Sequence, residues 1–319
     1  MKHLRIPAAI IISISFLVLP AAAEPGKSPL KVFILAGQSN MQGHGRVPMD
    51  ENKNEGKGTL EYMVRKSKQK ELYKHTVDEN GKWVVRDDVW ISYMGKKGGL
   101  TVGYGSGGDR IGPEFQFGHV MGQKLENQVL IIKIAWGGKS LAKDFRPPGS
   151  GGEVGPYYKD LIKLTREVLD NLKTNFPGYD GKGYEIAGFG WHQGWNDGCN
   201  GDAVKQYAQN MFNFINDIRK EFKVPKMPFV IANSGFGGPG QKNSRRLGII
   251  NAQLAMNRVP AFRNNVITIE TRMFFRPPEM SPANQGYHWN HNAETHFLIG
   301  NAMGEAMAKL VKIADARKK

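Results

Sequence analysis

The sequence predicts an α/β protein in which a parallel sheet is covered by helices on both faces. Five short apolar runs rich in β-branched residues have the length and composition of buried parallel strands. Amphipathic helical patterns alternate with these runs, which is typical of a doubly wound sheet. The chain of 319 residues has one cysteine, so an internal disulfide is excluded and stability must come from a packed core.

The strands and helices follow one another in regular order along the chain. The predicted strands cover residues 30–36, 129–135, 184–191, 228–232 and 266–270. The helical patterns, with apolar residues near i, i+3 and i+4 spacing, cover residues 114–126, 157–174, 204–222, 246–257 and 294–312. Neither a repeat nor a linker divides this series. We therefore predict a single domain over residues 24–319, built on a parallel sheet of about five strands.

One long segment after the first strand departs from this regular alternation. Residues 43–112, approximately, are rich in glycine, lysine and aspartate, with only short strand-like pieces at 82–86 and 89–93. A connection of this length in a compact domain is usually functional, often a lid or a binding loop. We predict one long insertion, of which the glycine-dense part at 95–112 is either mobile or wraps a ligand.

The first 23 residues have the pattern of a secretory signal peptide. Lys2 and Arg5 precede an apolar run over 6–19, and Ala23 ends a run of small residues. The alternative is a membrane anchor, but the run is shorter than the roughly 20 apolar residues that span a bilayer. We therefore expect cleavage near Ala23, export to the periplasm or the extracellular space, and no stable membrane anchor.

The charge balance restricts the partners. The formal net charge is +15, which favours acidic polymers or anionic surfaces. The lysines are nevertheless spread through the chain without a dense basic run or a nucleic-acid-binding module. We expect no nucleic-acid partner, and no feature of the sequence indicates an oligomeric state.

The most informative string comes directly after the first predicted strand. Residues 37–41 read Gly-Gln-Ser-Asn-Met. Ligands of open α/β sheets bind beyond the carboxyl ends of the strands, so Ser39 lies where a nucleophile is useful. The string is not the Gly-x-Ser-x-Gly elbow of α/β-hydrolases, because Met41 replaces the second glycine. Taken alone, Ser39 is more often a helix N-cap.

Two further strings follow the second and third predicted strands. Residues 135–140 read Ala-Trp-Gly-Gly-Lys-Ser, and paired glycines let backbone N–H groups approach a ligand, although a plain turn is equally compatible. Residues 191–197 read Trp-His-Gln-Gly-Trp-Asn-Asp, a mixture of aromatic, amide, imidazole and carboxylate groups that indicates a site. His192 itself fits a satisfied structural histidine better, because it directly follows an apolar strand.

The last string lies just before the final helix. Residues 284–290 read Asn-Gln-Gly-Tyr-His-Trp-Asn. A base for Ser39 must come from a separate loop at the same end of the sheet, and His288 satisfies this condition. His291 and His296 fit helix-entry and helix-face roles better.

Taken together and in order, these four strings resemble the sialate O-acetylesterase domain and the acetylxylan esterases of carbohydrate esterase family six. Both groups are SGNH hydrolases. The resemblance extends over nearly the whole chain after the signal peptide. It implies a flavodoxin-like three-layer sandwich and a serine esterase mechanism without a metal or other cofactor.

Carried over residue by residue, the resemblance implies roles for four positions. Ser39 matches the nucleophile and His288 its base. Gly138 and the Gln193 amide match groups that hold the oxyanion, together with the Ser39 backbone N–H. Further side chains in the same strings, or in a Gly-Pro-Glu string at 112–114 that also resembles these esterases, are expected to contact substrate: Gln38, Glu114, Trp195, Asn196 and Tyr287.

This chain departs from the family pattern at the third member of the triad. Many relatives follow His-Gln-Gly with a glutamate, where this chain has Trp195, and many place an aspartate three residues before the base, where this chain has Gln285. Loss of the orienting carboxylate costs serine proteases several powers of ten in rate. Asp197 is the preferred replacement, followed by Glu294 and Glu270.

The predicted function is removal of O-acetyl groups from a carbohydrate through an acyl-enzyme, with an acetylated glycan as partner. With an ordinary histidine as base, activity should fall below a pH of roughly 6.5. The altered acid positions leave open a carbohydrate-binding protein that has lost catalysis. A lipid esterase on the same fold is a third possibility, which the polar insertion disfavours.

Overall fold

The computed structural model describes residues 26–318, and the predicted signal peptide lies outside this range. The strands are β1 (Lys27–Gly37), β2 (Gly45–Arg46), β3 (Arg86–Tyr93), β4 (Lys96–Leu100), β5 (Arg110–Ile111), β6 (Asn127–Ala135), β7 (Tyr184–His192), β8 (Phe229–Ala232) and β9 (Val266–Ile269). Seven of them form one sheet in the order β4-β3-β6-β1-β7-β8-β9, while β2 and β5 form a separate antiparallel ribbon. All neighbours in the main sheet are parallel except β4, which is antiparallel to β3.

Helices cover both faces of the sheet and complete three layers. They are α1 (Ser39–Gln42), α2 (Leu60–Arg65), α3 (Pro113–Lys124), α4 (Pro156–Asp170), α5 (Leu172–Asn175), α6 (Gly201–Glu221), α7 (Ser244–Ala255) and α8 (Ala293–Ala316). The core on one face combines sheet residues with α4, α6 and α7, and the core on the other combines them with α3 and α8. The predicted three-layer sandwich is confirmed. Within residues 26–318, no helix has both the length and the apolar character needed to cross a bilayer.

The sheet contains seven strands, two more than the approximate number predicted from the sequence. All five predicted strands are present, and the additional two, β3 and β4, come from the insertion and extend the sheet at one edge. The strand-like piece at 82–86 is not a strand, because only Arg86 belongs to β3, and Trp83 forms a single bridge with Val77. The insertion is therefore partly sheet and not only a loop.

The two ends of the insertion meet at one point, which we call the neck (residues 43–46 and 110–112). Gly43 has a φ of 90°, and a Cβ there would lie 2.1 Å from the Cα of Gly112, so the two backbones cross in contact. The β2–β5 ribbon lies directly beyond this crossing. The insertion is anchored further by a cluster of its own with α3 and α8, which includes Leu60, Tyr73 and Phe297.

Candidate active site

The end of β1 lies where the sheet changes its direction of winding. The strand pairs with β6 on one side and β7 on the other, and in doubly wound folds such a switch point is where ligands bind. The N–H of Gln38 donates to the carbonyl of His192, and that of Trp136 to the carbonyl of Gly37. A Cβ on Gly37 would lie 2.2 Å from that His192 oxygen, so this close approach requires glycine. Ser39 follows at the start of α1 and is 6% exposed.

The segment that carries His288 is a strained turn before α8. Three consecutive residues that are not glycine, Trp289, Asn290 and His291, have φ between 54° and 58°. Such residues cost of order 1–3 kcal/mol each and concentrate at functional sites. Burial offsets the strain, because the Trp289 side chain is fully buried and Asn290 donates to the carbonyl of Arg276 at 3.0 Å. The turn therefore holds the histidine in one place.

A hydrogen bond joins the serine segment to the histidine segment. Asn40, next to Ser39, donates from Nδ2 to the backbone carbonyl of Tyr287, next to His288, at 3.0 Å. The glycine pair after β6 completes the same surface, because a Cβ on Gly137 would lie 3.9 Å from the Ser39 Cβ. The predicted nucleophile, base and glycine pair are thus brought together by the ends of β1 and β6 and the turn before α8.

The ring of His288 lies flat against the ring of His44 from the neck. The ring centroids are 3.8 Å apart and the planes differ by 8°. The Nδ1 atom of His288 is buried without a hydrogen-bond partner among the described residues. Burial, reinforced by nearby His291 and Arg110, lowers the pKa of His288 to about 4. The imidazole is therefore neutral over most of the pH range.

None of the three predicted acids hydrogen-bonds His288 in the part of the chain that the structure describes. The carboxylate of Asp197 is 1% exposed and accepts the backbone N–H groups of Leu141 and Ala142 at 2.9 and 2.8 Å. In the other two candidates both carboxylate oxygens are bound to an arginine, Glu294 to Arg276 and Glu270 to Arg272. Asp197 thus holds the loop that follows the glycine pair.

The predicted oxyanion donors differ in their availability. No described residue accepts the backbone N–H of Ser39 or of Gly138, and Gly138 has a φ of 67° that favours glycine. The Gln193 amide, in contrast, gives its Nε2 hydrogens to the carbonyl of Lys139 and to Asp197, while its oxygen accepts from Tyr207. In this arrangement the Gln193 side chain supports the loop and has no free N–H.

Comparisons with known proteins identify the family and agree with the fold. The model of the family described as "carbohydrate esterase, sialic acid-specific acetylesterase" matches residues 29–309. This chain belongs to that family. The esterase is thus a carboxylic ester hydrolase that acts on acetylated carbohydrate, and the family resemblance of the sequence is confirmed.

The structural matches are distant and concern the fold. A protein from Arabidopsis thaliana is 17% identical with a TM-score of 0.56, and the match covers 88% of this chain and 98% of that one. NanS is 12% identical with a TM-score of 0.53, over 91% of this chain and 98% of NanS. No curated protein matches the sequence.

Two side chains predicted to contact substrate are buried in supporting positions of the esterase. Gln38, 2% exposed, accepts the backbone N–H groups of Gly194 and Asn196 through Oε1. Glu114, 1% exposed, accepts from the Gly112 N–H and pairs with Lys133 at 2.7 Å. These contacts tie together the loops around Ser39, so both residues shape the site from behind.

The other predicted contacts, Trp195, Asn196 and Tyr287, are partly exposed in the esterase. Tyr287 is the most accessible of them at 39%. The Arg246 guanidinium lies 3.5 Å from the Trp195 ring centroid, and the Tyr287 ring packs 5.3 Å away. One face of the indole is therefore already covered, and Tyr287 offers the freer aromatic surface.

A cationic cavity of about 220 Å³ adjoins the histidine turn. Arg46, Lys53, Arg110 and His291 contribute to its wall, together with Asp50. The Nε atoms of both arginines are buried and have no hydrogen-bond partner among the described residues. Asp109 approaches the two guanidinium groups only at 3.9 and 3.7 Å. No sequence pattern predicts this cavity, because Arg46 and Arg110 come from opposite ends of the insertion.

His44, His288 and His291 come close enough to be considered as metal ligands, with side-chain nitrogens within 4.8 Å of one another. Their geometry does not suit shared coordination. The first two rings are parallel, so their in-plane lone pairs do not converge, and the Nδ1 of His44 is 2.9 Å from the Nη1 of Arg110. Instead, His44 and His291 form part of the surroundings of His288 in the esterase.

Only weak sequence patterns indicate the groups that surround Ser39 and His288. Asn40 is inside the serine string, but its link to Tyr287 depends on the fold. Lys133 was the clearest signal, since a lysine within an apolar strand is rarely buried without a partner. His44 stands five residues after Ser39 in a glycine-rich stretch, where no pattern indicated a partner.

Proposed function

We propose that this esterase removes acetyl groups from acidic sugars through an acyl-enzyme on Ser39, with His288 as general base. The link between Asn40 and Tyr287, which joins the serine and histidine segments at the switch point of the sheet, is the observation that carries the proposal. A serine nucleophile activated by a histidine base is a common catalytic arrangement for acyl transfer.

In the proposed first half-reaction, His288 Nε2 accepts the Ser39 proton while Oγ attacks the acetyl carbonyl carbon. We assign this role to Nε2 because Nδ1 is buried. The Ser39–His288 hydrogen bond is not formed between the described atoms, and such bonds often tighten only in the substrate complex. When the tetrahedral intermediate collapses, the sugar oxygen takes the proton from His288 and leaves.

In the second half-reaction water attacks the acetyl-serine. His288 takes a proton from that water, acetate leaves, and the proton returns to Oγ. In both halves the negative oxygen is stabilised by the backbone N–H groups of Ser39 and Gly138, which have no other acceptor among the described residues. Gln193 and Asp197 contribute by fixing the loop that presents Gly138.

The cationic cavity supports an acidic sugar as the substrate. The arginine Nε atoms beside His291 are buried donors without acceptors, and leaving them unpaired costs about 1–3 kcal/mol each. A carboxylate on the sugar would form charge-assisted hydrogen bonds with the Arg46 and Arg110 guanidinium groups that line the cavity. The family description, which specifies sialic acid, points in the same direction.

Substrate charge should decide which acetylated sugar is processed. We expect kcat/KM for O-acetylated sialic acid to exceed that for a neutral acetylated xylo-oligosaccharide, because only the former carries a carboxylate. Arg46→Gln should lower kcat/KM for the acidic sugar about 10-fold and leave kcat/KM for the neutral sugar within about twofold of the wild-type value. Acetate release measures the rate with either sugar. Arg263→Gln, an exposed cation before β9 at the other edge of the sheet, is the control. Equal preference for the two sugars would contradict the proposed substrate.

The pH profile should differ from that of an ordinary histidine. The base must be neutral to act, so its activity is present above its pKa and is lost as the pH falls through that value. Burial, then His291 and Arg110, lower the pKa of His288 to about 4. We therefore expect the acid limb of kcat/KM near pH 4. An acid limb at a pH of roughly 6.5 would show that His288 titrates as if solvated.

A further inference from the structure

We propose that His44 is a positioning residue for the base: its ring covers one face of His288 and holds that imidazole in the orientation that aims Nε2 at Ser39. In this role it replaces the carboxylate that the sequence lacks at its two usual places. The inference rests on the proposed function, because it takes His288 as the base.

The stacked geometry restricts the motion of the His288 ring. Rings whose centroids are 3.8 Å apart and whose planes differ by 8° are stacked in van der Waals contact. Rotation of His288 about its χ2 angle would drive its edge into His44. The strained turn fixes the backbone of His288 from the other side. Together they hold the ring in one plane, which is part of the positioning that a triad acid contributes.

His44 is itself firmly held. Arg110 donates from Nη1 to its Nδ1 at 2.9 Å, and since a guanidinium can only donate, Nδ1 is an acceptor and His44 is a neutral imidazole. Its backbone N–H donates to Nε2 of the buried His296 at 3.3 Å. Gly43 before it crosses Gly112, and a Cβ on Gly45 after it would lie 2.9 Å from the Cα of Ala293. The neck thus presents this ring rigidly.

The charges around His288 fit a neutral stacking partner. The groups that face it are His44 and Arg110 from the neck, and Tyr287 and His291 from its own turn. The buried His296 of α8 is also close enough to interact with it electrostatically. The carboxylate of Asp109 lies 3.7 Å from the Arg110 guanidinium and 3.9 Å from that of Arg46. A neutral aromatic face adds no repulsion when His288 takes up the serine proton, and such a face attracts a cation. His44 therefore serves the base in both of its protonation states.

Two substitutions at His44 distinguish the effect of its flat ring from the effect of its ring nitrogen atoms. His44→Phe keeps a flat ring against His288, whereas His44→Ala removes it. We expect His44→Ala to lower kcat by about 10- to 100-fold with KM within about twofold, and His44→Phe to retain most of kcat. Opening one face of His288 to water should also move the acid limb of the His44→Ala profile upward. His75→Ala, in the same insertion and packed on His119 and Phe297, is the matched control.

His288→Ala is measured in parallel to separate the two proposals. If His288→Ala keeps full activity, the proposed base is wrong. If it is inactive while His44→Ala keeps full kcat and an unchanged acid limb, the inference about His44 alone is overturned. Equal losses in His44→Ala and His44→Phe would also overturn it, because the stacked face would then not be the feature that matters. A loss in His44→Ala that His44→Phe rescues supports it.

Discussion

Ser39→Ala should lower kcat for acetate release by roughly 10⁴-fold or more. The substitution removes the only atom that can form the acyl-enzyme in the proposed mechanism, whereas the backbone donors at Ser39 and Gly138 stay in place. Because the side chain is small and 6% exposed, the fold should be unaffected. Steady-state hydrolysis of p-nitrophenyl acetate and of an acetylated sugar measures the effect.

A serine elsewhere provides the reference for this loss. Ser244→Ala, exposed at the first residue of α7, should retain wild-type kcat. The inactive Ser39→Ala protein should also bind acetylated sugar with an affinity close to the wild-type KM, since the contacts to the sugar remain. Activity of Ser39→Ala equal to that of Ser244→Ala would show that another group performs the chemistry.

Lys133→Met should be the most destabilising of the substitutions considered. Lys133 and Glu114 are completely buried, and the ammonium also donates to the carbonyls of Gln42 and Tyr104. Removing one partner of a buried pair leaves an uncompensated charge and costs about 3–5 kcal/mol. The loss should be visible in urea denaturation. Activity should fall as well, because Gln42 ends the helix that begins at Ser39.

The stability that Lys133→Met loses should depend on pH in a definite direction. Burial raises the pKa of Glu114, and without Lys133 the charge attraction and the hydrogen bond by which Lys133 opposes this shift disappear. A carboxyl whose pKa is raised by folding stabilises the fold most when it is protonated, so the deficit of Lys133→Met should shrink as the pH falls. Glu114→Gln in the same chain should recover part of the loss at neutral pH.

An exposed ion pair supplies the control for Lys133. Lys205 and Asp202 are 2.9 Å apart on α6 with both side chains 79% exposed. Breaking such a pair costs about 0–1 kcal/mol. If Lys133→Met were no more destabilising than Lys205→Met, the buried pair would not hold the loops together as described.

The regular periodicity of the sequence predicts the central strands, but it does not predict the edge of the sheet. The buried strands β1, β6 and β7 are long apolar runs whose composition identifies them. β4, in contrast, reads Lys-Lys-Gly-Gly-Leu, because an edge strand is half solvated and protected by lysines, so its composition resembles a loop. Its place in the sheet depends on pairing with β3, which no local pattern encodes.

The site divides in a similar way. Ser39 and His288 could be located because their strings follow strands whose carboxyl ends lie on the same side of the sheet. The partners of Gln193, Asp197 and Glu114 could not, because a buried polar side chain looks the same in sequence whether it faces a ligand or a backbone N–H group. The stack of His44 on His288 depends on the crossing of Gly43 and Gly112, which only the fold reveals.

Rapid-quench mass spectrometry on the wild-type esterase tests the central claim most directly. During turnover of p-nitrophenyl acetate, quenched at low pH and digested, the peptide that contains Ser39 should carry the mass of one acetyl group. Fragmentation should locate that group on Ser39, and the same peptide from Ser39→Ala should stay unmodified. An acetyl group on another residue, or full turnover without any acetylated peptide, would contradict an acyl-enzyme at Ser39.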